Sequence, residues 1–118
     1  MTDRDPDCLF CRIAAGEQKA DIVHQDDLVV AFRDVSPKAP THVLVIPRRH
    51  IRSAAELSGI DSEMLGRLFT VAAQVARDAG VAERGYRLVT NVGAGAGQSV
   101  HHLHFHLLGG RSMGWPPG

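Results

Sequence analysis

Apolar residues recur along the chain with two different periods. In the longest stretch of helical spacing, one face carries six of them: Met64, Leu65, Leu68, Ala72, Val75 and Ala79. This pattern predicts one amphipathic helix over residues 61–80. Asp61 precedes the first apolar position and suits an N-cap, and Gly80 suits the C-terminal stop.

Five other segments have the short length and composition of β-strands: 21–24, 28–33, 41–47, 86–92 and 102–108. The polar "QDD" between the first two predicts a hairpin. Residues 8–16, which end in a glycine, predict a short helix with Leu9, Phe10 and Ile13 as candidates to face inward. Together these elements predict an α+β fold, in which a five-stranded antiparallel meander packs against one main helix.

The segment "HHLHFHLLGG" at residues 101–110 includes the last predicted strand, which alternates with a period of two. One face is apolar and predicts a contribution to the core: Leu103, Phe105 and Leu107. The other face carries three histidines: His102, His104 and His106. Surface histidines without chemistry are the simplest alternative, but strict alternation of three favours a shared function.

The size and charge of the chain restrict its class. With 118 residues and 44% hydrophobic content, we expect a single domain over residues 1–118. Thirteen basic residues balance thirteen acidic ones, so no overall field favours nucleic acid or a membrane surface as a partner. No segment resembles a signal peptide or a membrane span, and the two closely spaced cysteines suit reduced thiols; we therefore expect a cytoplasmic protein.

The histidine face favours phosphoryl chemistry. Alternate side chains on a strand lie about 6.6 Å apart, so the three rings are expected to have separate roles. A neutral imidazole is a competent nucleophile near neutral pH, and neighbouring imidazoles can donate hydrogen bonds or help to transfer protons. The preceding loop agrees with a phosphate, because Gly93, Gly95 and Gly97 can turn backbone N–H groups toward an anion and Ser99 adds a hydroxyl.

A metal site is a second hypothesis. Cys8 and Cys11 have the C-x-x-C spacing of two zinc ligands, and a closed tetrahedral site needs two more. The candidates are His50 and a terminal member of the histidine trio. A redox dithiol or a pair of small buried residues at a helix start are the alternatives.

These segments resemble the histidine triad proteins, and within them the nucleoside phosphoramidate hydrolases. The family motif, His-x-His-x-His followed by two apolar residues, stands at residues 102–108, and "FRDVSPKAPTHVLVIPRRHI" and the closing "WPPG" are also similar. The resemblance implies cleavage of the P–N bond of purine nucleoside 5′-monophosphoramidates through a nucleotidyl-histidine intermediate, with AMP or GMP as product and no organic cofactor. The alternatives are a nucleotide-binding regulatory protein with residual activity, a dinucleoside polyphosphate hydrolase, and a hydrolase with catalytic zinc on His102 and His104.

The resemblance also implies catalytic roles for individual residues. His104 would be the nucleophile, with the carbonyl of His102 fixing its tautomer. His106 and Ser99 would bond the phosphate and the leaving-group side, and His42 would stand behind the nucleophile.

Substrate contacts are implied in the same way. Asp34 would accept hydrogen bonds from the ribose hydroxyls, and Asn91 would contact the phosphate or ribose. The purine would lie in an apolar slot of three residues: Ile13, Phe32 and Val35. Gly97 and Gln98 would support the phosphate with backbone and side-chain groups.

A structural zinc and a homodimer complete what the resemblance implies. The zinc would be held by Cys8, Cys11, His50 and His102. Two five-stranded sheets would join into one of ten strands, with Trp115 and the apolar stripe of the main helix at or near the contact.

Overall fold

The computed structural model describes residues 4–118, and one antiparallel sheet is its centre. Its five strands are β1 (Ile22–Gln25), β2 (Val29–Arg33), β3 (Thr41–Pro47), β4 (Tyr86–Val89) and β5 (Phe105–Gly109). The two helices are α1 (Leu9–Ala14) and α2 (Ser62–Asp78), and 3₁₀ turns occupy Ala54–Glu56, Gly59–Asp61 and Ala94–Ala96. The α+β prediction is confirmed. The strand order is β1-β2-β3-β5-β4, so β5 lies in the interior of the sheet and β4 at its edge.

Helix α2 covers one face of the sheet with the predicted stripe of apolar residues. Its buried positions are Met64, Leu68, Val71, Ala72, Val75 and Ala76. They pack on the side chains that β2, β3 and β5 turn to this face, such as Val45 and Leu107. This stripe packs within the chain, and its expected place at or near a dimer contact stays a prediction. Among residues 4–118, no helix is long and apolar enough to cross a membrane.

The predicted C-terminal stop of α2 is observed, but the predicted N-cap is not. Gly80 has a φ of +76° and ends the helix as expected, whereas Ala79 is exposed and does not join the stripe. Asp61 precedes the helix, but its side chain does not cap it. Its carboxylate instead accepts from the N–H of Ser58 (2.9 Å) and pairs with Arg49, because the chain enters α2 through a 3₁₀ turn.

Helix α1 covers part of the opposite face and forms a second, smaller core. Its residues Phe10, Ile13 and Ala14 pack against alternate side chains of β2 and β3: Val30, Phe32, Leu44 and Ile46. Leu9 was expected to face inward but is 40% exposed, because Phe10 and Cys11 take the inner positions of this single turn.

Strand β5 begins at Phe105, three residues later than predicted. Pro47 ends the neighbouring strand β3, and it has no N–H with which to continue the ladder. The N–H of Leu103 donates instead to the carbonyl of Ile51 (2.6 Å). His102 and His104 therefore lie in the segment that leads into the strand.

The predicted separation of the last segment into two faces is confirmed despite the shorter strand. Leu103 and Leu107 are buried in the core under α2, and the histidines face the side that α1 covers. His102 and His104 are almost fully buried, so they are not surface histidines.

Candidate active site and metal centre

The ring of His104 is fixed by a main-chain acceptor. Its Nδ1 lies 2.7 Å from the carbonyl oxygen of His102. A carbonyl can only accept, so Nδ1 carries the proton and Nε2 of the neutral ring keeps its lone pair. The segment itself is held by the Thr90 hydroxyl, which donates to the carbonyl of His104 (2.7 Å). This is the contact with the His102 carbonyl that the resemblance implied.

Phe10 forms the wall against which these histidines pack. Its ring meets His104 edge-on with centroids 5.1 Å apart, and it makes similar contacts with His102 (6.0 Å) and Phe32 (5.4 Å). Sequence reasoning gave Phe10 only a core role. Its place between Cys8 and Cys11, in the first turn of α1, was the available signal for a position in the site.

His42 contacts His106, whose ring packs against that of His104, the nucleophile that the resemblance implied. Its Nε2 is 2.9 Å from Nδ1 of His106, because Thr41–Pro47 and Phe105–Gly109 are paired and both residues point to the same face. The main-chain N–H of Lys38 donates to Nδ1 of His42 (3.0 Å). Since an N–H can only donate, His42 carries its proton on Nε2, and Nδ1 of His106 must accept it. His106 then carries its own proton on Nε2.

Burial keeps this histidine pair neutral. It lowers the pKa of His106 to about 4, an effect to which His104 and His42 add, and it also lowers the pKa of His42. At neutral pH the two rings are therefore hydrogen-bond donors and acceptors without charge. His42 is 6% exposed, so the protein encloses its ring almost completely.

Asp34 stands next to the histidine pair and also closes a turn. Its Oδ1 accepts from the N–H of Ser36 (2.8 Å), and its Oδ2 lies 3.5 Å from Nε2 of His42. The carboxylate is partly exposed at the surface of the site. The turn and the predicted ribose contact are therefore compatible, because one oxygen remains turned toward the site.

The predicted apolar slot is only partly assembled. Phe32 and Ile13 lie in the same buried cluster below α1. Val35 is fully exposed and packs against neither of them.

The glycine-rich loop uses part of its hydrogen-bonding capacity on itself. Gln98 is buried; its Oε1 accepts from the N–H of Gly93 (2.9 Å), and its Nε2 donates to the carbonyls of Arg52 and Val100 (2.8 and 3.0 Å). The main-chain N–H groups of Gly97 and Gln98 also donate within the loop. These two N–H groups are therefore engaged within the loop, and the support that Gly97 and Gln98 would give a phosphate stays a prediction.

Ser99 and Asn91 are the remaining predicted site residues. Ser99 is exposed at the end of the loop. Asn91 lines a cavity of about 380 Å³ together with His42 and His106. Lys38 and Arg111 line the same cavity, and sequence reasoning did not identify either of them.

Two cysteines at the start of α1 and two histidines from other parts of the chain lie close enough together to form a metal centre. One ligand atom each of Cys8, Cys11, His50 and His102 lies within 4.8 Å of the others, so these residues could hold a metal ion. Cys11 Sγ is 3.3 Å from Nδ1 of His50 and 3.4 Å from Nδ1 of His102, and the two Nδ1 atoms are 3.3 Å apart. Tetrahedral zinc with bonds of about 2.0 to 2.3 Å has ligand atoms roughly 3.3 to 3.8 Å apart, so the residues fit.

The surroundings of this centre prepare its ligands. Nε2–H of His102 donates to the carbonyl of Pro47 (2.8 Å), which leaves Nδ1 free to bind a metal. Burial lowers the pKa of His102 to about 4 and keeps the ring neutral. Burial also raises the pKa of the Cys11 thiol to about 11, so a cation would be needed to keep it ionised. N–H groups of Asp5 and Cys11 donate to the sulfurs of Cys11 and Cys8 (3.4 and 3.3 Å), as suits thiolate ligands.

Comparison with known proteins agrees with this site. The HIT domain family matches residues 15–113. A protein of Escherichia coli strain K12 named purine nucleoside phosphoramidase is 51% identical over 106 residues, which cover 90% of this chain and 89% of that protein. A HIT-like protein of Synechococcus elongatus is 49% identical over 112 residues, 95% of this chain and 97% of its own length.

Solved structures show the same fold. The crystal structure of a HIT family hydrolase from Legionella pneumophila superposes with a TM-score of 0.93 at 51% identity, covering 95% of this chain and all of that one. A histidine triad protein from Clostridium difficile gives 0.90 at 36% identity, covering 94% and 96%. The sequence match and the shared fold both span most of the chain, and the family match includes His102, His104 and His106. The chain belongs to the HIT domain family.

Proposed function

We propose that this protein hydrolyses the P–N bond of purine nucleoside 5′-monophosphoramidates through a nucleotidyl intermediate on His104. The observation that carries the proposal is the bond between Nδ1–H of His104 and the carbonyl of His102, which leaves a lone pair on Nε2. The 51% identity to a protein named purine nucleoside phosphoramidase supports the substrate class.

The first half of the reaction uses that lone pair. Nε2 of His104 bonds to phosphorus as the P–N bond to the amine breaks, and the departing nitrogen takes up a proton. The imidazole becomes cationic as the new bond forms, and the carbonyl that accepts from Nδ1–H stabilises this charge. In the second half, water adds to phosphorus, the N–P bond breaks, and free His104 and a nucleoside monophosphate are released.

His106 and Ser99 stabilise the phosphoryl group in this proposal. His42 donates to Nδ1 of His106, so Nε2–H of His106 is the donor available to a phosphoryl oxygen or to the leaving group. Because burial holds the pKa of His106 at about 4, it acts as a neutral donor at physiological pH. The exposed hydroxyl of Ser99 adds a donor at the end of the loop.

Nucleoside recognition follows from the residues around this centre. Asp34 accepts from the ribose hydroxyls, Asn91 contacts the phosphate or ribose, and the purine of AMP or GMP lies across Ile13, Phe32 and the exposed Val35. Gly97 and Gln98 contribute by shaping the loop, since their N–H groups donate within it.

The metal centre has a structural role in this proposal, and zinc is the ion. Cys8, Cys11, His50 and His102 supply four protein ligands, which closes a tetrahedral site and leaves no position for substrate. A bound zinc would join the start of α1 to the segment before β5. His102 thereby holds the main-chain carbonyl that orients His104, and the chemistry requires no organic cofactor.

A homodimer and a cytoplasmic location belong to the same proposal. Tyr86–Val89 is an edge strand, which can pair with a second copy into a ten-stranded sheet. Phe69 and Trp115 are large exposed apolar residues that a second copy would cover. The two free thiols suit a reducing compartment.

The proposal is tested with adenosine 5′-phosphoramidate. The His104→Asn variant is expected to lose turnover while binding AMP with nearly the affinity of the wild type, as measured by calorimetry. The matched control is His101→Asn, because His101 is an exposed histidine in the same segment. A wild-type protein that binds AMP but releases no ammonia would favour the regulatory alternative, and substantial turnover by His104→Asn would exclude His104 as the nucleophile.

A further inference from the structure

The proton positions of the His42 and His106 pair depend on the main chain of residue 38. The N–H of Lys38 donates to Nδ1 of His42 (3.0 Å), and its carbonyl accepts from Nε of Arg111 (3.0 Å). Nη1 of Arg111 also donates to the carbonyl of Ser112 (3.1 Å). The guanidinium thus connects the loop 36–40 with the segment that follows β5.

A second observation shows that these two segments are closely fitted. Gly110 has a φ of +89°, and a Cβ at this position would lie 2.9 Å from Cβ of Pro40. Only glycine satisfies both the backbone conformation and this contact. The chain therefore turns tightly against the loop immediately before Arg111, which fixes where the guanidinium begins.

The other end of the loop is also held. Oδ1 of Asp34 accepts from the N–H of Ser36 (2.8 Å), and the N–H of Asp34 donates to the carbonyl of His42 (2.9 Å). Asp34 does not contact the carbonyl of Lys38, which receives its hydrogen bond from Arg111. Removing Arg111 therefore frees the side of the loop that carries the donor to His42.

The tautomer of His42 has a direct consequence for the reaction. With its Nδ1 occupied as an acceptor, His42 donates from Nε2, and His106 must present Nε2–H to the site. If His42 were instead protonated on Nδ1, its Nε2 would accept from His106. His106 would then turn a lone pair, and not a proton, toward the phosphoryl group.

We propose that Arg111 is a positioning residue for catalysis, because it holds the Lys38 main chain whose N–H sets the tautomers of His42 and His106. The inference rests on the proposed function for its catalytic consequence, but the tautomers can be measured without any substrate.

The experiment compares Arg111→Ala with Arg111→Lys and Arg87→Ala. Arg87 is the matched control because it lines the same cavity and binds the same C-terminal segment, through the carbonyl of Gly114 (2.7 Å). Unlike Arg111, among residues 4–118 it makes no hydrogen bond with loop 36–40. Two-bond ¹H–¹⁵N correlation spectra of histidine-labelled protein identify the protonated nitrogen of each ring. Steady-state kinetics with adenosine 5′-phosphoramidate separate kcat from KM.

We expect single Nε2–H tautomers for His42 and His106 in the wild type and in Arg87→Ala. Arg111→Ala is expected to show the second tautomer and to lower kcat by roughly 10- to 100-fold, with KM altered by less than about threefold. Arg111→Lys keeps a donor and recovers most of the loss.

Three results would overturn the inference: unchanged tautomers in Arg111→Ala, a kcat of Arg111→Ala within about twofold of wild type, or the same change of tautomer in Arg87→Ala. If the wild type itself does not cleave the phosphoramidate, the proposed function fails. The spectra of Arg111→Ala then still decide whether Arg111 sets the tautomers.

Discussion

Replacing Phe10 by alanine tests whether α1 builds the wall of the active site. The ring is 5% exposed and lies edge-on to Phe32, His102 and His104. Truncating a buried phenylalanine costs about 3 to 5 kcal/mol, which includes the lost aromatic contacts. For a chain of this size each kcal/mol lowers the melting temperature by roughly 3 to 6 °C, so a fall of about 9 to 30 °C is expected.

The activity of the same variant reports on the orientation of His104. With the wall removed, the ring keeps its bond to the His102 carbonyl but loses lateral support, and kcat is expected to fall about 10-fold or more at a temperature where the variant is folded. Thermal unfolding by circular dichroism and steady-state kinetics measure the two effects.

The neighbouring residue supplies the control for the Phe10 prediction. Leu9 lies on the same helix turn but is 40% exposed, so Leu9→Ala is expected to change stability by less than about 1 kcal/mol and to leave kcat unchanged. Equal effects of Leu9→Ala and Phe10→Ala, on either stability or kcat, would refute the reasoning that Phe10 forms the wall.

Three further predictions concern the metal centre, the histidine pair and the first hairpin. At free zinc a hundredfold above Kd, the ion should stabilise the wild type by about 3 kcal/mol in thermal unfolding, and Cys11→Ser should abolish that gain. Because the pKa of His106 is lowered by burial to about 4, its contribution to stability is complete above about pH 6.5 and is lost as the pH falls toward 4; urea titrations should show a shallower decline for His106→Gln. Asp26 accepts two main-chain N–H bonds in the turn between β1 and β2 and contacts Arg67. In urea unfolding, Asp26→Ala should therefore lower the free energy of unfolding by about 2 kcal/mol, whereas replacement of the exposed Asp27 by alanine should change it little.

Much of the fold could be predicted because its elements follow simple periods. The stripe of α2 and the Val- and Ile-rich strand Thr41–Pro47 appear where the sequence places them. Gly80 ends α2 because a positive φ favours glycine there. The order of β4 and β5 could not be read in this way, since periodicity does not encode which strands become neighbours.

For the candidate site, the sequence indicated which residues take part. It did not indicate which of their side chains contact one another. The four residues that the resemblance implied as zinc ligands form one cluster in the structure: Cys8, Cys11, His50 and His102. The contact between His42 and His106 could not be predicted, because strand register decides which side chains of the two strands meet.

The bonds made by Lys38 and Arg111 are also invisible in the sequence. Both involve the main chain of residue 38, and a main-chain donor or acceptor has no residue type by which it could be recognised.

The central claim is that Nε2 of His104 becomes bonded to phosphorus during turnover. The most direct measurement is mass spectrometry of the protein after rapid quenching with a slowly hydrolysed nucleoside phosphoramidate, followed by mapping of the modified peptide. We predict an added nucleoside monophosphoryl group on His104, which disappears as the nucleoside monophosphate is released and is absent in His104→Asn. Normal turnover with no adduct, or with the adduct on another residue, would contradict the account.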